Sequence, residues 1–317
     1  MPTNPIGSLH SSVLTAPVRT RLRQWVIGVL QKGEGSSSIN FDEPHGDPGL
    51  FGPDSVTWRI HADFPGMMSG GICALMLQTL HPLALSGVWD HSSFRDDVLG
   101  RLRRTTGFVA GTTYAPRAEA LKLIAKVKKI HGFVRGTAPD GRAYSADDPA
   151  LLTWVHTTEM QSFLNGYQRY RDVELPLSIQ DRYYAETSLI AERLGARNVP
   201  KSAAAVNAYF ERVQGELEFG ERSVAVLDVL NQIRLPIPVS GVSRELFLGA
   251  GAALLPPWAL QKMQRSRVRQ LRDRAAARGL RAVAPLLRAA LKDGIGAHSC
   301  RRVGLDPALL HSLPLES

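Results

Sequence analysis

Apolar and polar positions alternate with a helical period along most of this chain. Apolar residues recur every three or four positions over 18–31, 69–80, 178–194, 202–217 and 243–254, and each stretch predicts a helix. Ser92 or Ser93 offers a cap to a helix passing through Val98 and Leu102 towards Val109. Pro116 suits the first turn of the next helix, which the pattern carries to about Arg135, with Gly136 as its stop. Asp148-Pro149 pairs a capping acceptor with a first-turn proline and predicts a helix to about Tyr170. Beyond Pro256-Pro257, two Arg/Ala/Leu-rich helices are expected over 258–278 and 283–292. Residues 33–53 read as a loop, and 56–60 is the best short strand candidate. The expectation is an all-α protein. Residues 1–12 form a flexible start, 13–260 one large helical domain, and 261–317 a helical segment packed on the same domain.

Composition sharpens this in three places. With 317 residues and 44% hydrophobic content, the chain can bury a sizeable core. The stretch 64–89 has no Asp, Glu, Lys or Arg, but Gln78, His81, Pro82 and several glycines interrupt it, so a core helix is expected rather than a membrane span. The glycines of 66–71 would let two helices, or a helix and a cofactor, come close. The net charge of +9 is concentrated between Lys262 and Arg302, which leaves the remainder near neutral. A solvated helical face is expected there, with an anionic membrane surface as the alternative partner. No aromatic residue interleaves these arginines after Trp258, so nucleic acid is not an expected partner. The polar start lacks a signal-peptide layout, and Cys73 and Cys300 form no disulfide framework. A reducing, cytoplasmic location is the simplest expectation.

Candidate chemistry centres on two helices. Arg101, Arg104 and Thr105 lie at i, i+3, i+4 on the first. On the second, Lys128, His131 and Arg135 are expected to share a face, while Leu123, Val127, Ile130 and Val134 form an apolar one. Gly132 removes a side chain beside His131, so a flat ligand could approach. A neutral imidazole flanked by cations suits an iron porphyrin, with nitrogen on the metal and cations on the propionates. Two facing helices would make the slot. The plainer readings are a structural histidine at an apolar border and arginines in surface ion pairs. His156 and Glu159 at i, i+3 hint at a di-iron site completed by Asp181 and Glu186, but the paired Glu-x-x-His pattern is missing. His156 is then better read as packing behind the site, His81 as a structural helix-end residue, and Tyr183 and Tyr184 as core aromatics. Phosphate-loop, nucleophile-elbow, zinc-protease and dinucleotide motifs are absent from the sequence.

Several segments in one order resemble the MpaB/rubber oxygenase (latex clearing protein) family. They are Gln78-Thr-Leu-His81-Pro82, Arg101 through Thr105, the His131 helix, Gly141-Arg-Ala-Tyr144, Asp148 through His156, Tyr183-Tyr184-Ala-Glu186 and Leu254-Leu-Pro256-Pro257. The resemblance implies a globin-related helical core that binds haem b and uses dioxygen on an apolar, unsaturated or isoprenoid substrate. It implies His131 as the axial iron ligand, Lys128, Arg135 and Arg101 as cofactor-binding groups, and His156 as support. It implies Arg104 and Thr105 on the reactive side, with Arg104 standing where a rubber oxygenase has lysine. The family's distal glutamate has no match here; Asp96-Asp97 is the nearest acidic pair. A non-catalytic haem-binding or haem-sensing protein is the alternative.

Overall fold

The structure, a computed structural model, describes residues 39–232 and 240–311. The helix expected over 18–31 and the flexible start lie outside those residues. The described chain is all-α, with a single two-stranded sheet. In order the elements are α1 (Val56–His61), α2 (Phe64–Gln78), α3 (Pro82–His91), α4 (Val98–Tyr114), α5 (Arg117–His131), β1 (Arg135–Thr137) and β2 (Ala143–Ser145). Then come α6 (Pro149–Arg171), α7 (Leu177–Leu194), α8 (Ala203–Val213), α9 (Glu221–Gln232), α10 (Ser240–Ala252), α11 (Pro257–Lys262), α12 (Arg267–Ala290) and α13 (Ile295–Arg302).

The centre is α2 lying along α6, and its closeness is set by glycine. A side chain on Gly70 would begin 2.6 Å from the Ser162 carbonyl oxygen, and one on Gly166 would collide with the Gly66 backbone. The glycine-rich stretch therefore serves helix-on-helix contact. Trp154, Phe163, Leu164, Tyr167 and Tyr170 of α6 fill the core beside Leu77 and Leu80. The helix expected over 69–80 does end before Pro82, and the rest of the charge-free stretch forms α3, bent from α2 by 104° at Thr79–His81, where His81 stands before Pro82. Among the described residues no single helix is long and apolar enough to cross a membrane, although this bent pair together passes on length and composition.

Several expected boundaries move. Residues 56–60 are helix, not strand, because Ser55 caps Trp58 N–H and Glu186 accepts from the backbone of Val56 and Thr57. The first break in the basic segment falls at Met263–Ser266, where Gln264 adopts φ 50°. Beyond it α12 runs unbroken to Ala290 and carries Pro285 inside it. Ala277, Leu280, Ala284 and Leu287 face inward from α12 against α10, while Arg267, Arg269, Arg272, Arg274, Arg278 and Arg281 are exposed. Asp63 ties this outer layer to the core. It caps α2 through Gly66 N–H and accepts from Arg171 of α6 at 3.2 Å and Arg288 of α12 at 2.5 Å.

Candidate functional site

The helix bearing His131 ends at His131 itself. Gly132 occupies its C-cap, and the chain then turns into β1, which starts at Arg135. Lys128 and His131 remain on one helical face, but Arg135 does not join them. The helical period seen in the sequence continued through Val134 by coincidence, because Arg135–Thr137 pairs instead with Ala143–Ser145 across the Pro139-Asp140-Gly141 turn. Gly136 is a strand residue beneath the Tyr144 ring rather than a helix stop, and its substitution would collide with the Tyr144 hydroxyl. Ile130, expected on the apolar face, is 50% exposed.

The hairpin has a second effect. Ala146 N–H donates to Val134 O at 2.8 Å, so the chain returns to the point where it left α5. That return sets Asp147 beside the end of α5, with its Oδ2 4.0 Å from where a Gly132 side chain would begin. His131 is half-buried, and its Nδ1 is enclosed with no hydrogen-bond partner. Burial lowers its pKa below the ordinary value, and the Asp147 charge acts in the opposite direction. His131 is thus a neutral imidazole with an unspent nitrogen and a nearby carboxylate. Lys128 is exposed and donates to the Arg193 carbonyl at 3.3 Å. Arg135 is exposed and donates to the Gly132 carbonyl.

The antiparallel hairpin of α4 and α5 brings the start of α4 to the same end as His131. The three residues expected to face one cavity part company there. Arg104 is 57% exposed and is held by Ser93 Oγ at 3.2 Å and Asp97 at 3.6 Å. Thr105 is exposed and donates to the Arg101 carbonyl at 3.2 Å. Arg101 turns inward to Ser92 Oγ at 2.5 Å and lines an apolar cleft under α2, α3, α4 and α9. Burial depresses its pKa, and the neighbouring charge of Arg104 adds to that. The cleft holds only about 70 Å³; Leu75, Leu85, Val88, Phe94, Leu102 and Leu230 are among its walls.

His156 lies in the core near His61 of α1, a residue the sequence pattern did not single out. His61 sits 2.8 Å from Thr113 Oγ1 and 2.9 Å from the Tyr183 hydroxyl. Thr113 spends its proton on the Val109 carbonyl, so His61 Nδ1 carries a hydrogen and Nε2 accepts from Tyr183. Burial pushes His61 down to about 3, helped by His156, and pushes His156 itself to about 4. Both stay neutral. One turn beyond His156, burial raises the Glu159 carboxyl to about 7, against a hydrogen bond from Gln78, which also lines the cleft. A di-iron centre does not form here. Glu186 is spent on α1 and Arg182, and Asp181 accepts from Ala203 N–H at the start of α8. Among the described residues no three His, Cys, Asp or Glu side chains gather as a metal site. His81 is buried at the start of α3, its ring tilted on Trp154.

His61 was hidden because its segment reads as a strand, and Asp147 because Asp148 next to it accounts for the helix start. The fold and site together define an all-helical protein with a half-buried neutral histidine at the end of a helical hairpin and an apolar cleft lined by the start of that hairpin's first helix. The chain belongs to the ER-bound oxygenase mpaB/B'/rubber oxygenase family, whose catalytic domain matches residues 58–289. That match takes in the hairpin, the cleft and nearly all of α12. No curated protein and no solved structure matches the chain.

Proposed function

We propose that this oxygenase-type domain binds haem b through His131 and uses dioxygen to oxidise an apolar, unsaturated or isoprenoid substrate. The observation that carries the reading is the enclosed, unpartnered Nδ1 of a neutral His131 at the end of α5. A metal-bound imidazole must be neutral, and its second nitrogen is commonly oriented by a carboxylate, a part that Asp147 can take. Lys128 supplies a cation one turn earlier on the same face and suits a propionate. Haem, when bound, supplies the iron at which dioxygen is activated. The chain's own tasks are then to keep His131 deprotonated by burial, to hold it at a fixed helix end and to keep water from an apolar substrate.

The reactive side fits less well. Arg104 and Thr105 are exposed and bonded to surface neighbours, so neither lines an enclosed pocket. That observation favours the second reading, a haem-binding protein without turnover. Absorption spectra of purified wild type and His131→Ala, oxidised and reduced, test the first step. Haem content should fall at least tenfold in the variant while helical circular dichroism is kept. Wild-type haem content with an unchanged spectrum would remove His131 from the role. Oxygen-dependent conversion of an alkene separates the two readings.

A further inference from the structure

We propose that the outer face of α12 docks on an anionic membrane surface, with Val268 and Leu271 entering the apolar layer and the flanking arginines meeting lipid headgroups. The proposal goes beyond the oxygenase reading and does not depend on haem. On this 24-residue helix Asp273, Ala277, Leu280, Ala284 and Leu287 are buried and mark the inward face. Directly opposite, at about 100° per residue, run Val268, Leu271, Ala275, Ala282 and Leu286. All five are exposed, Val268 by 61% and Leu271 by 60%. Arg267, Arg274, Arg278 and Arg281 flank this stripe on one side, and Arg269 and Arg272 flank it on the other.

A merely solvated face needs no apolar side chains along its outermost line, and guanidinium groups crowded on one helix repel one another. Asp273, the one carboxylate of α12, points inward to Arg265. Among the described residues Arg281 is the only one of the flanking arginines that meets a carboxylate, that of Asp172. An anionic bilayer answers both features. Its headgroups neutralise the arginines, whose long stems let the charges stay at headgroup level while the stripe sinks below. The charge arrangement decides against the other occupants. A second copy of the chain would set one row of unpaired guanidinium groups against another. A nucleic acid would be met by arginines at the centre of the face, whereas here they stand at its edges with no aromatic side chain among them.

The test is flotation of the full chain with vesicles of phosphatidylcholine alone and with about 30% phosphatidylserine added, in low and in high salt. Wild type should bind the anionic vesicles roughly tenfold or more tightly, and the advantage should shrink in high salt. Val268→Ser combined with Leu271→Ser keeps the charge and should weaken binding roughly fivefold or more. Both positions are exposed, so the urea midpoint of that variant should match wild type. Arg274→Gln combined with Arg278→Gln should weaken binding and flatten its salt dependence. A polarity-sensitive dye on Leu271→Cys should shift to the blue on anionic vesicles, while the same dye on Lys126→Cys, an exposed position of α5, should not. Cys73 and Cys300 are buried, which directs the dye to the introduced thiol. Equal binding of wild type to the two kinds of vesicle would overturn the proposal. So would wild-type affinity in the Val268 and Leu271 double variant, or an unshifted dye, because the apolar stripe would then take no part. Salt-sensitive binding to duplex DNA that is tighter than to anionic vesicles, and indifferent to the Val268 and Leu271 changes, would give the face to nucleic acid instead.

Discussion

At the scale of the residue, burial decides what each candidate can do. His131 and Arg104 were both legible in the sequence as candidates, and the structure gives them opposite surroundings. The imidazole loses its water and keeps a free nitrogen; the guanidinium keeps its water and pairs with Asp97 and Ser93. An exposed pair of this kind contributes little, so Arg104→Ala should change stability by less than about 0.5 kcal/mol. It should also retain haem and leave oxygen-dependent product formation unchanged, because Arg104 lines no enclosed pocket. Altered turnover would place Arg104 on the reactive side after all. The sequence could not separate the two residues, because both sit at helical spacing in basic surroundings. Only the neighbours brought by β1, β2 and the loop to α6 enclose one and not the other.

At the scale of the element, helix starts were easier to read than helix ends. Asp148 caps α6 as its sequence predicts, accepting from Ala150 N–H at 2.7 Å, because the cap acts over two or three residues. The end of α5 depends on a pairing between Arg135 and Ser145, ten positions apart, which no local pattern announces. Glycine gives the same lesson between elements. The run 66–71 announces a close approach, but the partner, α6 with Gly166, lies far along the chain. Gly70→Ala and Gly166→Ala each place a methyl against backbone that cannot rotate away. Each should destabilise by about 1–3 kcal/mol or more, read from urea midpoints, while Gly107→Ala, which meets nothing within 4 Å, should not.

At the scale of the whole molecule, one carboxylate holds the outer helix to the core. Asp63 is fully buried and serves α2, Arg171 and Arg288 together. Asp63→Ala would strand two half-buried guanidinium groups and should cost about 3–5 kcal/mol, measured by denaturant unfolding. The pH dependence is also a property of the assembled core. His61, His81 and His156 have folded values of about 3, 4 and 4 against an ordinary 6.5. The unfolded chain therefore takes up protons first, and the stability these groups give above pH 6.5 is lost as the pH falls towards 4. Glu159 acts in the other sense, held neutral up to about 7 against an ordinary 4.5. Its contribution is complete below 4.5 and lost as the pH rises towards 7. The unfolded chain binds more protons on its three histidines than the folded chain keeps on Glu159, so urea midpoints should rise from pH 4.5 to about 7 and then level off. Glu159→Gln should keep the acid limb and steepen the rise between about pH 5 and 7. The full Glu159 shift corresponds to roughly 3 kcal/mol. A variant whose rise between about pH 5 and 7 is no steeper than that of wild type would mean that another group opposes the histidines.

The sequence by itself determined the helical class, most helix starts, the basic outer segment and the family, because each is written in local period, local capping or an ordered set of motifs. It also brought His131 forward, since a histidine between cations on an amphipathic helix is a local pattern. The tertiary structure decided where α5 stops, which arginine turns inward, and that Asp147 returns to the His131 helix end. Those outcomes depend on backbone hydrogen bonds and burial between segments that are separated along the chain. Arg101 and Arg104, three residues apart on one helix, show the division most plainly. Their spacing predicts a shared face, and the apolar walls contributed by α2, α3 and α9 take only Arg101 out of water.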